Sequence, residues 1–256
     1  MQVVILCGGL GTRLAEETEL RPKPMVEIGG RPILWHIMKL YSHYGFTDFV
    51  LCLGYKGNVV RDYFLNYVAM NSDVRVTLGD GGVERLEAFH EESRWSVLLA
   101  ETGPLTPTGG RLRRAARYLQ GNRFMATYGD GLADVNLRKL LDFHESCGRL
   151  ATVTGVRPAN RFGELRAEGD LVQQFREKPQ LDDGWVNGGF FVFENAVLDR
   201  LREDSVLERE PLAELASDGQ LALFKHEGYW RPMDTPREKR ELEQEWASDR
   251  PAWRVW

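Results

Sequence analysis

The stretch VVILCGGLGTRL, residues 3–14, joins an apolar run to a glycine-rich turn that ends in an arginine and a leucine. Val3–Cys7 is short and continuously apolar, which is typical of a parallel strand buried on both faces. Glycines after such a strand let backbone N–H groups approach an anion, because no Cβ stands in the way. Open α/β sheets bind their ligands at this carboxyl end of the strands. The stretch therefore predicts an α/β fold with an anion site at its first turn.

Apolar runs of strand length alternate with helical patterns along most of the chain. We predict helices at Pro32–Tyr44, Asn58–Val68, Arg111–Leu119 and Leu137–Ser146. We predict further strands at Phe49–Leu53, Phe124–Tyr128, Ala151–Val156, Leu171–Phe175 and Phe190–Phe193. This alternation predicts a single α/β domain with a mostly parallel, doubly wound sheet.

Three regions do not fit this alternation. Val74–Leu78 and Ser96–Ala100 have the composition of strands in a less regular insertion. Residues 162–174 combine two glycines with short polar–apolar alternation, which favours antiparallel strands added to the parallel sheet. We assign residues 1–247 to one domain. Residues 248–256 are rich in Trp and Pro, and we expect this tail to pack on the domain or on a neighbouring subunit.

The composition is that of a globular protein and argues against two classes of partner. The 256 residues carry a net charge of −5, and the pI is about 5.7, so we expect no nucleic acid partner. No apolar stretch approaches the roughly 18 residues of a membrane span, so we expect no membrane partner. Cys7, Cys52 and Cys147 form no CxxC pair. We interpret them as free thiols in a reducing, cytoplasmic compartment.

The turn at residues 8–13 favours phosphate binding but matches neither familiar glycine motif. A dinucleotide fingerprint needs glycine where Leu14 stands, and a P-loop needs Gly-Lys-Ser/Thr, which does not follow Gly11. Arg13 adds a planar, permanently charged donor for phosphate oxygens. The alternative is a glycine turn with a surface arginine.

Lys23 stands between Pro22 and Pro24, which hold it in an extended segment. A lysine restrained in this way loses less freedom when it binds an anion. The alternative is a solvated loop lysine, which is less attractive with Arg13 so near in the chain.

Two carboxylates are candidate metal ligands. Asp130 follows the predicted strand at Phe124–Tyr128 and is flanked by glycines, a good place for a divalent metal or for a simple Asp-Gly turn. Asp234 precedes Thr235, which with Glu238 predicts a capping box for a final helix. Asp234 then lies in the connecting turn, as a ligand or as a solvated turn residue. Two oxygen ligands completed by phosphates and water suit Mg²⁺.

Two later motifs are weaker signals when taken singly. Glu177-Lys178-Pro179 again places a lysine before a proline, and the alternative is a charged hairpin end. Asn187-Gly188-Gly189 offers an amide and close backbone approach, which suits sugar hydroxyls or simply a turn.

The order of these motifs resembles the sugar-1-phosphate nucleotidyltransferase family along nearly the whole chain, from Met1 to about Trp246. The motifs are GGxGxRL at 8–14, PKPM at 22–25, GDG at 129–131, EKP at 177–179, NGG at 187–189 and MDT at 233–235. Within the family, the stretches at 16–45, 108–114 and 228–239 most resemble members that use CTP and glucose 1-phosphate.

The resemblance implies a GT-A-like Rossmann fold, a homo-oligomer, Mg²⁺ as cofactor, and CTP and glucose 1-phosphate as substrates. It also implies CDP-glucose as a product used for deoxysugars of surface polysaccharides. The implied catalytic residues are Arg13, Lys23 and Asp130. The implied nucleotide contacts are Leu6, Gly8, Gly9, Gly11, Thr12, Arg13, Lys23, Thr106, Arg111 and Gly129, with Arg111 a candidate for reading the cytosine. The implied metal ligands are Asp130 and Asp234, and the implied sugar-phosphate contacts are Glu177, Lys178, Asn187 and Gly188.

Three alternatives remain open. A dinucleotide-dependent oxidoreductase also begins with a strand and a glycine turn, but Leu14 and Arg13 argue against it. A non-catalytic sugar-nucleotide sensor is expected to lack Lys23, Asp130 or Asp234, and all three are present. An enzyme of the same family with another nucleotide or sugar phosphate differs from the first interpretation by only a few contacts.

Overall fold

The computed structural model describes residues 1–9, 11–79, 81–87, 92–157, 164–168, 171–176 and 184–256. Its strands are β1 (Gln2–Leu6), β2 (Glu27–Ile28), β3 (Arg31–Pro32), β4 (Asp48–Leu53), β5 (Asp73–Thr77), β6 (Gly82–Glu87), β7 (Ser96–Glu101), β8 (Arg123–Tyr128), β9 (Gly131–Ala133), β10 (Ala151–Val156), β11 (Glu164–Glu168), β12 (Leu171–Arg176), β13 (Val186–Glu194), β14 (Leu221–His226) and β15 (Trp230–Pro232). Its α-helices are α1 (Ala15–Thr18), α2 (Ile33–His43), α3 (Gly57–Leu65), α4 (Tyr67–Met70), α5 (Thr108–Ala115), α6 (Leu137–Cys147), α7 (Glu210–Ser217) and α8 (Pro236–Trp246). Turns of 3₁₀ helix occupy Thr12–Leu14, Lys23–Met25, Ala116–Tyr118 and Asn195–Arg200.

A seven-stranded sheet forms the centre of the fold, in the order β14-β10-β13-β8-β1-β4-β7. Within this sheet β13 runs antiparallel to β8 and β10, and the other six strands run parallel to one another. The prediction of an α/β fold with a mostly parallel sheet and antiparallel additions is confirmed. β11 and β12 pair antiparallel, as residues 162–174 predicted, but among the described strands they form a separate two-stranded sheet and are not added to the central one.

Both faces of this sheet are covered by other parts of the chain. Successive side chains of a strand point to opposite faces, so a single strand can contribute to the apolar clusters on both sides. Val3 and Ile5 pack in one apolar cluster, whereas Val4 and Leu6 pack in a second. All five residues of β1 are buried. The continuous apolar run that predicted a central strand therefore serves two cores at once.

The prediction for Ser96–Ala100 was wrong in one respect. The segment is a strand, but it pairs in parallel with β4 at the edge of the central sheet and does not belong to an insertion. The separate hairpin is formed by β5 and β6, which pair only with each other among the described strands. A short apolar run shows that a strand exists, but it does not show which strand it pairs with.

The C-terminal tail packs on the domain itself. Trp253 is 1% exposed, and its ring lies beside those of His36, Trp246 and Tyr229. In the part of the chain that the structure describes, no helix has the length and apolar character needed to cross a membrane.

Candidate active site

The glycine turn after β1 is shaped by close contacts that admit no side chain at two positions. A Cβ on Gly8 would lie 2.0 Å from Cζ of Arg111. Gly11 has φ +63°, and its carbonyl accepts hydrogen bonds from the Leu14 amide and the Thr18 hydroxyl. Thr18 also places its methyl group 2.6 Å from where a Cβ on Gly11 would stand. The glycines are therefore required by the turn itself, whatever ligand it binds.

Arg111 fastens this turn to two neighbouring segments. Its guanidinium donates to the carbonyls of Gly8 and Leu53 at 2.9 Å each and to the Thr102 hydroxyl at 2.8 Å. It also donates to the carbonyls of Gly103 and Pro104, at 2.9 and 3.3 Å. The side chain is buried, and this desolvation lowers the pKa of Arg111 from its ordinary value. Arg111 thus shapes the wall of the site, and its role in reading cytosine stays a prediction.

The ammonium of Lys23 lies between two carboxylates from distant parts of the chain. Its Nζ donates to Oδ2 of Asp130 at 2.7 Å and makes a second short bond to Oδ1 of Asp234. Arg13 completes the cluster with two contacts of 3.0 Å to the Asp234 carboxylate. Two of the three catalytic predictions, Lys23 and Asp130, are therefore in direct contact, and Arg13 is one residue away from them.

A two-stranded ribbon brings the two aspartates together. β9 and β15 pair antiparallel with Gly131 opposite Pro232, and the Met233 amide donates to the Asp130 carbonyl at 2.8 Å. Asp234 lies just before α8, because the next residue, Thr235, caps that helix and Glu238 completes the capping box. The amide of Asp234 donates to the same Glu238 carboxylate at 2.8 Å. The helix cap thus fixes the backbone on which the second aspartate stands.

The charges in this cluster favour a protonated lysine. Burial by itself lowers the pKa of Lys23, but the carboxylates of Asp130 and Asp234 outweigh it, and the pKa is raised from its ordinary value. Lys23 is 9% exposed, whereas the Arg13 side chain is 67% exposed. The site therefore holds one shielded cation, Lys23, and one exposed cation, Arg13.

A cavity of about 310 Å³ opens beside this cluster. Eight of the residues predicted from the sequence line it: Leu6, Gly8, Gly9, Lys23, Thr106, Arg111, Gly129 and Asp130. The end of β8 can pack against the lysine segment only because residue 129 is glycine, since a Cβ there would lie 2.8 Å from Pro24. Gly11 and Thr12 lie in the same turn, outside the lining. The cavity thus joins the carboxyl ends of β1 and β8, where α/β sheets bind ligands.

Two of the four predicted sugar-phosphate contacts, Asn187 and Gly188, lie on the adjoining strand β13. Nδ2 of Asn187 donates to the Tyr128 hydroxyl at 3.1 Å, and its Oδ1 accepts from the Gly189 amide at 2.9 Å. The Gly188 carbonyl accepts from the Trp230 indole at 2.8 Å. Glu177 and Lys178 lie outside the described residues. Asn187 therefore contacts Tyr128, which lines the cavity. Gly188 contacts Trp230, which belongs to the β9–β15 ribbon that carries the aspartates.

The aspartate pair fits a divalent cation that takes most of its ligands from elsewhere. Within the described ranges, no three His, Cys, Asp or Glu side chains gather as a metal site. The carboxylates of Asp130 and Asp234 both contact the Lys23 ammonium, so they lie close enough together to share one cation. Oxygen atoms of a substrate and of water would complete the coordination of a hard cation. A cation here competes with Lys23 for both carboxylates, so Lys23 has to exchange these partners when a cation binds.

Comparison with known proteins agrees with this geometry. The sequence model described as nucleotidyl transferase matches residues 2–233. The chain belongs to the nucleotidyl transferase family. Relatives in this family include glucose-1-phosphate cytidylyltransferase of Salmonella typhi, 48% identical over 259 aligned residues that cover 100% of both chains. A probable glucose-1-phosphate cytidylyltransferase of Bacillus subtilis is 43% identical, again over 100% of both chains.

Solved structures of similar fold extend the comparison to the backbone. HddC from Yersinia pseudotuberculosis superimposes with a TM-score of 0.69 at 23% identity, and the match covers 96% of this chain and 99% of that one. At this identity the likeness shows the fold alone. The fold of this chain is therefore shared with a solved structure along nearly its whole length.

Sequence reasoning missed several residues of the site. Tyr128 and Thr108 line the cavity. Glu208 lies outside the lining and accepts a hydrogen bond from the hydroxyl group of each. Tyr128 carried a signal, because it stands directly before the Gly-Asp-Gly turn. Glu208 lies in a polar stretch between elements, where the sequence shows no pattern that distinguishes it from a solvated glutamate.

Proposed function

We propose that this chain is a glucose-1-phosphate cytidylyltransferase, which makes CDP-glucose and pyrophosphate from CTP and α-D-glucose 1-phosphate. One observation carries the proposal: a buried lysine shared by two aspartates at the mouth of a glycine-lined cavity. The choice of nucleotide and sugar is supported by the relatives at 48% and 43% identity over the full chain.

The reaction brings two polyanions together, and the site supplies the positive charge that this requires. A phosphate oxygen of glucose 1-phosphate attacks the α-phosphorus of CTP, and pyrophosphate leaves with the electrons of the broken P–O bond. The nucleophile is already an anion, so positioning and electrostatics suffice without a strong general base. Lys23 would move from its carboxylate partners to the α-phosphate, where charge accumulates. Arg13, at the exposed mouth, would stabilise the departing pyrophosphate.

The nucleotide would occupy the cavity beside the glycine turn. The triphosphate would lie against the backbone of Gly8, Gly9, Gly11 and Thr12, because glycines let backbone N–H groups approach a phosphate with no Cβ in the way. Leu6, Thr106, Arg111 and Gly129 would contact the remainder of the nucleotide. Thr106 already accepts a hydrogen bond from Arg114 at 3.0 Å, so the orientation of its hydroxyl is defined before CTP binds.

Asp130 and Asp234 would hold Mg²⁺, which offsets the negative charge of the triphosphate when bound. The sugar phosphate would bind on the β13 side of the cavity. There Asn187 and Gly188 would contact the sugar hydroxyls, and Glu177 and Lys178 would complete the site, with Lys178 at the phosphate. Assembly into a homo-oligomer, a cytoplasmic location and use of the product for surface polysaccharides stay predictions.

Phosphorus NMR of a reaction with CTP, glucose 1-phosphate and Mg²⁺ tests the proposal. We expect the triphosphate signals to be replaced by those of pyrophosphate and of a nucleoside diphosphate sugar. The Asp130→Asn variant, which keeps the shape of the side chain and removes its charge, serves as the control and should leave the spectrum unchanged. Conversion by wild type with UTP or dTTP and none with CTP would reassign the nucleotide, and no conversion with any nucleotide would favour the sensor alternative.

A further inference from the structure

The carboxylate of Glu208 joins two walls of the candidate cavity. Its Oε2 accepts a hydrogen bond from the Thr108 hydroxyl at 2.7 Å, and its Oε1 accepts one from the Tyr128 hydroxyl at 2.6 Å. Thr108 begins α5 and Tyr128 ends β8, and both line the cavity. Glu208 lies outside the lining, in the segment before α7. The bridge from Thr108 through Glu208 to Tyr128 therefore holds the two walls at a fixed separation.

The segment that carries Glu208 is itself anchored to α5. The Leu207 amide donates to the Thr108 hydroxyl at 2.9 Å, and the Gly110 amide donates to the Ser205 carbonyl at 3.1 Å. The approach is close enough that a Cβ on Gly110 would lie 2.2 Å from the Glu203 carbonyl. Leu207 is fully buried. These contacts fix the backbone next to Glu208 relative to α5, and they thereby limit the positions that its carboxylate can take.

The bridge also has a defined direction of hydrogen bonding. A carboxylate has only acceptors, so Thr108 and Tyr128 both donate to it. The Tyr128 oxygen is then left to accept from Nδ2 of Asn187, at 3.1 Å. Burial raises the pKa of Tyr128, and the Glu208 charge raises it further, so the phenol stays protonated as a donor.

We propose that Glu208 is a positioning residue that selects the nucleotide by size. The inference rests on the proposed function, in which the triphosphate lies by Gly8 and Gly9 and the remainder of the nucleotide contacts Thr106 and Arg111. Thr108 and Tyr128 line the same cavity and therefore limit the space left for the base. A cavity of about 310 Å³ is at the small end of ligand sites, which range from about 300 to 1,000 Å³. A change in the separation of its walls therefore changes which base fits. Glu208 excludes purine nucleotides by preventing Tyr128 and the start of α5 from moving apart.

Steady-state kinetics of Glu208→Ala test this inference. We expect the KM for CTP to rise about tenfold, because two hydrogen bonds that order the wall are lost. We expect the Ki of ATP, measured as a competitor of CTP, to stay the same or to fall. The ratio of the ATP Ki to the CTP KM should then drop by about tenfold or more. A purely structural role would raise both constants together and would overturn the proposal.

A double-mutant cycle with Tyr128→Phe tests whether Glu208 acts through that hydroxyl. If it does, the effect of the double variant on the CTP KM is smaller than the product of the two single effects. Independent effects would contradict the inference. Glu210→Ala, a change two residues away at the exposed start of α7, is the matched control and should leave both constants at wild-type values.

The outcome for wild type separates this inference from the proposed function. Turnover with CTP together with an unchanged selectivity ratio in Glu208→Ala rejects only the role of Glu208. No turnover of CTP by wild type rejects the proposed function and this inference with it. Because the carboxylate lies at the protein surface and makes bonds to neutral groups, we expect the variants to fold, and thermal melting should show this directly.

Discussion

Replacing Arg111 by methionine removes the fastening between the glycine turn and the rest of the site. Methionine keeps an unbranched side chain of similar path but has no donor groups. Five acceptors lose the Arg111 donor, and the bonds to Gly8, Leu53 and Thr102 are the ones that lie in buried surroundings. The Leu53 carbonyl still accepts from the amide and the hydroxyl of Thr102. Water can reach the two other acceptors, the carbonyls of Gly103 and Pro104, because those bonds are only partly buried.

The expected loss follows from this count. A buried acceptor left without a donor costs roughly 1–3 kcal/mol, which applies to the Gly8 carbonyl, and each of the two other buried bonds contributes about 1 kcal/mol, so the total is about 3–5 kcal/mol. The unfavourable burial of the guanidinium, seen in its lowered pKa, offsets part of this cost. We therefore expect the free energy of unfolding to fall by about 3 kcal/mol, which for a chain of this size lowers the Tm by roughly 6–12 °C.

Urea denaturation followed by tryptophan fluorescence measures this change, and the slope with urea shows whether the two proteins expose the same surface. Arg113→Met on the same helix is the control. The Arg113 side chain is 45% exposed and donates to a single carbonyl, so its loss should cost less than about 1 kcal/mol. Equal stability of Arg111→Met and wild type would refute the view that Arg111 holds the site together.

Three further predictions concern charge, pH and the final helix. Asp130→Asn should lower turnover by orders of magnitude and leave the Tm within a few degrees of wild type, as measured by pyrophosphate release and thermal melting. Burial lowers the pKa of His36 to about 4 from 6.5, so the neutral ring stabilises the fold fully above pH 6.5, and about 3 kcal/mol is lost as the pH falls towards 4. In His36→Gln, urea midpoints should therefore vary less with pH between 6.5 and 4 than in wild type. The same dependence of the midpoint on pH in both proteins would contradict the assignment. Thr235→Ala removes the cap of α8 and should cost about 1 kcal/mol of stability in urea, while a loss below a few tenths would show that the cap is dispensable.

Local patterns explain the parts of the structure that the sequence predicted well. The run at Val3–Cys7 is apolar on both faces because its strand is the middle of a covered sheet, and this needs no knowledge of its neighbours. The capping box at Thr235 and Glu238 likewise lies within four consecutive residues. Such features are encoded within a few residues, and for that reason they were recognised.

Contacts between distant segments could not be predicted in the same way. β9 and β15 have three residues each and lie about a hundred positions apart, so no periodicity indicates that they pair. Their pairing is nevertheless what puts Asp234 beside Asp130 and Lys23. Arg111 stands in the sequence TGGRLRR, which looks like an exposed basic cluster until the carbonyls around it are known.

Pyrophosphate release measured in parallel with CTP, UTP, dTTP, ATP and GTP, each with Mg²⁺ and glucose 1-phosphate, tests the central claim most directly. The account predicts release with CTP far above release with any other nucleotide, and its loss in Asp130→Asn. Equal release with several nucleotides would contradict the assignment of CTP, and silence in every reaction would contradict the catalytic role of the Lys23–Asp130–Asp234 cluster.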